Sequence, residues 1–310
     1  MIRFAALGDS VTSGFGDPLP TGGWRGWAVL LADALGDGRA GAGSAVELHN
    51  LAVSGARISD VADRQLPEAL TLRPHLASVL VGMNDTLRGD FDVDALGRGL
   101  TDVIGALTGC GATVLTARLP DPGRMFRLPG VIARPLRRRM EALNDALDEI
   151  AASHGTIHVD LAGSSDHVLY ARTNWSVDRL HPSERGHRLL AFRFATALRE
   201  AGHPVPRLPG LTATNPEPTL GQRLWWMATQ GNRWLLRRST DLLPTLARMA
   251  AAECWNGVRG RTGATERHPP PNLQFPPNLQ LPPNLQLPPN LADRLPGVEG
   301  AGCDGPAAPG

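Results

Sequence analysis

The chain has 310 residues and a formal net charge of +1, from 31 basic against 30 acidic side chains. That length accommodates one sizeable domain with an appended segment, since domains commonly take about 100–200 residues, and the near-balance of charge excludes a global field that would draw the protein to nucleic acid. All 31 basic residues are arginine, a compositional bias from which no function is read. Cys110, Cys254 and Cys303 are too widely spaced for a metal site or a disulfide framework, so unpaired thiols in a reducing compartment are expected.

Taken in chain order, short apolar runs alternate with longer amphipathic ones as far as about residue 201, the pattern of a parallel sheet covered by helices on both faces. Strands are expected at Ile2 to Leu7, Val46 to Leu51, Leu76 to Val81, Ala112 to Ala117 and Thr156 to Leu161. Their near-continuous apolar character fits burial on both faces. Helices are expected at Gly26 to Leu35, Ser59 to Leu70, Val93 to Thr108, Arg134 to Ser153 and Ser183 to Ala201. Gly36, Gly109 and Gly111 are placed to close helix ends in the left-handed conformation, and Ser183 to cap the last helix. The fold class is therefore α/β: a three-layer α/β/α arrangement on a flavodoxin-like five-stranded parallel sheet, spanning residues 1–202. A Pro-rich linker over 203–218 follows, then an amphipathic helical extension over 219–254, possessing Trp225, Trp226 and Trp234 among five arginines and a helix-breaking Pro244. Beyond it, 255–310 contains near-perfect Pro-Pro-Asn-Leu-Gln-Leu repeats from Pro270 to Leu291, read as a disordered tail of polyproline II character. The amino terminus reaches a Gly-Asp-Ser motif without the charged and apolar regions of a signal peptide, and no apolar run spans a bilayer, so a cytoplasmic protein is expected.

Such a sheet binds ligands beyond the carboxyl ends of its strands, and four short motifs fall there or just before the last helix. Gly8-Asp9-Ser10 follows the first strand and places a serine hydroxyl near outward-facing amides. Gly55 follows the second, where a backbone N–H can approach a ligand without a side chain in the way. Asn84, in Gly82-Met83-Asn84-Asp85, follows the third and offers an amide donor. Asp178 stands three residues ahead of His181, a spacing that lets one turn bring the carboxylate to Nδ1 and leaves Nε2 free to take a proton. Each motif alone also reads as ordinary turn or capping chemistry. Glu47 with His49 and Asp166 with His167 are acid–histidine pairs without the same spacing or loop position.

Together these blocks resemble the SGNH/GDSL hydrolase superfamily, whose four blocks are led by serine, glycine, asparagine and histidine; the likeness runs from about Ile2 to Ala201. It implies a serine esterase with Ser10 as nucleophile, His181 as acid–base and Asp178 as its partner. The oxyanion hole would come from the Ser10 and Gly55 amides and the Asn84 side chain. The expected substrate is a small ester or acylated molecule, and no metal or organic cofactor is expected, because a serine, an imidazole and amide donors suffice. The segment Leu119 to Pro135 is read either as a cover for the acyl group, through Met125 and Phe126 with arginines for a negative substrate part, or as a surface loop with a helix start; Trp24 either lines the cleft or packs in the core. The 219–254 extension reads either as a peripheral membrane contact or as a helix packed on the hydrolase or a second subunit. An acyltransferase on the same machinery and a non-catalytic binding protein of the same fold are the alternative functions.

Overall fold

The computed structural model describes residues 1–36, 46–163, 168–215, 221 and 242–258. The strands are β1 (Ile2–Gly8), β2 (Val46–Asn50), β3 (Leu76–Leu80), β4 (Thr113–Arg118) and β5 (Ile157–Asp160). They form one sheet in the order β2-β1-β3-β4-β5, with every pairing parallel. Strand side chains alternate between faces, and here each face has its own core. Phe4, Ala6, Leu76, Leu80, Leu115 and Ala117 enter one cluster with Trp27, Leu31 and Phe194. Ala5, Leu7, Ala77, Val79 and Val114 enter the other with Leu100, Ile104 and Met140.

The first cluster is covered by α1 (Gly26–Leu35) and α8 (Glu184–Glu200), which pack together, and the second by α5 (Val93–Gly109) and α7 (Gly130–His154). Double burial holds for β1 and β3, but β2 is an edge strand of the pattern Val-Glu-Leu-His-Asn with no fully buried residue, and β5 buries only Val159. Gly36 does not close α1 in the left-handed form; it is extended, at φ −76° and ψ 141°. Gly111, with φ +88°, does turn the chain after α5, and the Ser183 hydroxyl caps α8 by accepting from the Gly186 N–H at 3.3 Å.

The expected helix at Ser59 to Leu70 is composite. An α-helical turn α2 (Ile58–Asp60) runs into a π-helical turn Val61–Gln65 and then α3 (Leu66–Thr71). The extra residue per turn rotates Gln65 inward, where its side-chain amide accepts from the Gly8 N–H at 2.8 Å and donates to the Gly8 carbonyl at 2.9 Å. Such π-bulges concentrate at functional sites, and this one fixes the end of β1. Two short helices were not expected: α4 (Met83–Thr86) and α6 (Pro122–Phe126). The next helix starts at Gly130 and carries Pro135 inside its first two turns.

In the carboxy-terminal region, α9 (Leu242–Val258) packs on α7 and buries Thr245 and Met249. Pro244 sits in its first turn, where a missing N–H costs nothing. The tryptophan-bearing stretch 222–241 and the hexapeptide repeats lie outside the described residues. No helix among the described residues is long and apolar enough to cross a membrane.

Candidate active site

The turn that carries Ser10 begins where β1 ends. Gly8 has φ +149°, and a Cβ there would lie 2.3 Å from the Leu80 carbonyl oxygen, so only glycine lets β1 run this close to β3. The turn that follows is closed by Ser13 N–H to the Asp9 carbonyl at 2.9 Å and Phe15 N–H to the Ser10 carbonyl at 3.0 Å. Asn50, at the end of β2, donates from its side chain to the Thr12 carbonyl at 2.8 Å. Ser10 is thereby held at the β1/β3 boundary, where the strand order reverses and parallel sheets open their ligand crevice.

Asp178 and His181 sit on a loop of fixed shape. Trp175 bridges Pro182, the Ser176 N–H donates to the His181 carbonyl at 2.8 Å, and Arg179 takes the left-handed conformation at φ +56°. Asp178 Oδ1 accepts from the Leu180 and His181 amides at 2.9 and 3.1 Å and from the Ser176 hydroxyl. Its other oxygen, Oδ2, lies 2.6 Å from His181 Nδ1, and His181 Nε2 lies 2.9 Å from Ser10 Oγ. A carboxylate only accepts, so Nδ1 donates to it and Nε2 is left to accept from the serine. Burial works against the Asp178 charge, but the hydrogen bonds from His181 and Ser176 outweigh it and hold the carboxyl below its ordinary pKa. The loop is pressed on the Ser10 turn at Gly16, where φ is +103° and a Cβ would come 2.1 Å from the Pro182 carbonyl oxygen.

Gly55 and Asn84 border the same cavity as Ser10. Among the described residues, the Ser10 and Gly55 N–H groups donate to no protein acceptor. Asn84 is already engaged, since its Nδ2 donates to Asp9 Oδ2 and to the Ala56 carbonyl, each at 3.1 Å. It stands in α4, which Asp85 pins to the start of α2 by accepting from the Ile58 N–H at 3.3 Å and from Arg57 Nε at 3.4 Å. Asp9 is buried, and desolvation pushes its pKa up to about 6 against the opposing bond from the Val11 N–H and the nearby His181.

The profile of the GDSL-like lipase/acylhydrolase family matches residues 6–189, more than half of the chain and all five residues of this arrangement. The chain belongs to that family. This GDSL-like hydrolase is 26% identical over 165 residues to an acetylxylan esterase of Geobacillus stearothermophilus, covering 51% of this chain and 73% of that protein. A crystal structure of an acetylxylan esterase from the same organism superposes with a TM-score of 0.52 at 22% identity, over 66% of this chain and 96% of that one. An α/β hydrolase from the metagenome of Lake Arreo, Spain, gives 0.51 at 22% identity, over 63% and 94%. Those structures share the fold, and the family makes this GDSL-like protein a carboxylic ester hydrolase.

The cavity of the GDSL-like hydrolase measures about 620 Å³, and Trp24, Met125 and Phe126 all line it. The Leu119 to Pro135 segment holds α6 and the start of α7 and borders this cavity, and two of its arginines are occupied: Arg124 lies 4.1 Å over the Tyr170 ring and Arg134 pairs with Glu253 at 3.0 Å. The paired Glu47 and His49, 3.1 Å apart, sit on edge strand β2, away from Ser10; Asp166 and His167 lie outside the described residues. Among the described residues, no group of three or more His, Cys, Asp or Glu side chains is arranged to hold a metal ion. Sequence reasoning passed over Gln65, Ser176 and Phe15, whose ring packs on His181 with centroids 4.4 Å apart. Gln65 alone left a trace, as a polar residue in the buried Val61-Gln65-Ala69 stripe.

Proposed function

We propose that this protein hydrolyses carboxylic esters through an acyl-enzyme on Ser10. The observation that carries the reading is the unbroken line of hydrogen bonds Ser10 Oγ to His181 Nε2 at 2.9 Å and His181 Nδ1 to Asp178 Oδ2 at 2.6 Å. Ser10 Oγ attacks the ester carbonyl while His181 takes its proton, and the Asp178 carboxylate stabilises the imidazolium that forms. The negative oxygen is met by the Ser10 and Gly55 N–H groups, with Asn84 sharing a hydrogen that otherwise bonds Asp9 or Ala56. A single donor of this kind is worth about 100- to 1000-fold in turnover. His181 then protonates the departing alcohol, and a water, activated the same way, releases the acid. Acetate esters of sugars, the substrates named for the Geobacillus relative, belong to the same reaction class.

Ser10→Ala is expected to lower kcat on an aryl ester by roughly 10⁶-fold, with His181→Ala comparable and Asp178→Asn milder, near 10⁴-fold. Labelling with a fluorophosphonate and mapping the adduct by mass spectrometry checks the nucleophile directly. An adduct on another residue, or a Ser10→Ala protein of full activity, overturns the assignment.

A further inference from the structure

The cavity beside Ser10 is lopsided. Gly55, one expected oxyanion donor, follows β2 on one side of the nucleophile. On the other side the lining continues across the ends of β3, β4 and β5 through Leu80, Met83, Leu119, Met125, Phe126 and Leu161. Of the charged or titratable groups among the described lining residues, Asp9, Asp178 and His181 cluster at the reacting end, leaving Arg88 as the other. A sugar ring needs a hydrogen-bond partner at nearly every hydroxyl. Beyond the reacting end the lining is mostly leucine, methionine, phenylalanine and tryptophan, with Arg88 and Asn174, whose Nδ2 donates to the Val168 carbonyl. Such a surface rewards chiefly the removal of apolar area from water.

The geometry at His181 says which half of the ester lies there. His181 must hand its proton to the leaving oxygen, so the alcohol departs on the imidazole side. On that side Phe15 packs on the imidazole and Trp24 on Phe15, both at 4.4 Å between centroids, and Trp24 is 42% exposed. The alcohol therefore leaves past an aromatic edge open to solvent. On the acyl-enzyme reading the acyl substituent, bonded opposite the leaving oxygen, has the apolar lining across β3 and β4 to occupy.

We infer that this cavity is an acyl-chain site and that the preferred substrates are esters of linear acids longer than butyrate, in place of acetate esters; the inference rests on the acyl-enzyme reading above. Two methionines, Met83 and Met125, suit such a chain, because their unbranched side chains adapt to a flexible ligand. Each methylene seated there raises kcat/KM by about threefold to fourfold while the cavity lasts.

The test uses the full chain and two ester series. In the first, p-nitrophenyl esters run from acetate through butyrate and octanoate to palmitate; in the second, alkyl acetates run from ethyl to octyl. The expected result is octanoate above acetate by at least about tenfold in kcat/KM, with the alkyl acetates flat. Met125→Trp, which fills the cavity, lowers the octanoate-to-acetate ratio by about tenfold; Phe126→Ala, which enlarges it, moves the optimum toward palmitate. Acetate equal to or above octanoate overturns the inference, as does a rise along the alkyl acetates, which puts the alcohol in the cavity. In both of those cases loss of all activity in Ser10→Ala leaves the acyl-enzyme reading standing, whereas activity surviving in Ser10→Ala removes that reading and this inference together.

Discussion

Asp9 lies beside Ser10 with 5% of its surface exposed, and desolvation raises its pKa from 3.8 to about 6. His187 is fully buried on the opposite side of the same turn, its Nδ1 accepting from the Trp27 N–H and its Nε2 donating to the Phe15 carbonyl. Burial lowers its pKa from 6.5 to about 4. The two groups bend the stability curve in opposite directions. Between pH 4 and 6 folded Asp9 retains a proton that the unfolded chain gives up, so this residue makes stability fall as pH rises, by about 3 kcal/mol in all. Folded His187 lacks a proton that the unfolded chain binds below pH 6.5, so it makes stability rise with pH through the same window, by a similar amount. Asp9→Asn removes one slope and leaves the other. Thermal unfolding at stepped pH should then show the variant's stability climbing from pH 4 to 6 more steeply than that of the native protein. Parallel curves would mean that Asp9 does not feel its burial. The same substitution replaces the acceptor for Asn84 Nδ2 with a group that can present a competing N–H, so turnover should drop even where stability does not.

At the scale of elements, the ends of two central strands are held by one device. Gln65 pairs with both backbone groups of Gly8 at the end of β1, and Asn144, on α7, pairs with both of Leu119 just after β4, at 2.7 and 2.9 Å. Leucine is close in size at either position; at Asn144 it leaves the buried N–H and C=O of Leu119 unpaired, a loss of about 2–4 kcal/mol, whereas at Gln65 it strands only the Gly8 N–H, since the Gly8 carbonyl still accepts from the Val53 N–H at 3.2 Å. Asn144→Leu should therefore cost more stability than Gln65→Leu in urea unfolding, while the loss of activity runs in the opposite order. Gln65→Leu frees the strand end that carries Ser10, and a displacement of about 1 Å there lowers kcat near 100-fold. Asn144→Leu frees a wall of the cavity and should alter chain-length preference with kcat on acetate less affected. Equal losses of kcat would separate Gln65 from any positioning of the nucleophile. These amides also mark the limit of what the sequence makes legible. The strands and long helices follow from apolar periodicity, and Ser10, Gly55, Asn84, Asp178 and His181 from motif and order, because each depends on neighbours within a few residues. Gln65 and Asn144 can be read only as polar intrusions in buried stripes, since their partners lie 57 and 25 residues away. The π-turn and the short helices α4 and α6 are set by tertiary packing, which overrides local propensity.

At the scale of the whole molecule, the question is what attaches the carboxy-terminal helix α9 to the hydrolase fold. The amphipathic pattern of 219–254 was open to a membrane surface or a protein face, and over Leu242–Val258 the face is that of α7. Two kinds of contact are present. Met249 and Thr245 are buried, Thr245 against the loop after α4 at Gly89. Glu253 pairs with Arg138 at 2.6 Å and Arg134 at 3.0 Å, and the bond from Arg138 holds its carboxyl below the ordinary range. The arginines are 34% and 56% exposed, so water screens the pairs and each is worth at most about 1 kcal/mol. Burial of a methionine is worth more, and truncating one in a packed site costs about 2 kcal/mol or more. Met249→Ala should accordingly destabilise the helix's attachment further than Glu253→Gln, as read by limited proteolysis of the segment and by urea unfolding of the full chain. The reverse order would make the attachment electrostatic, and it would then loosen in high salt, whereas a helix held by Met249 keeps its place as ionic strength rises.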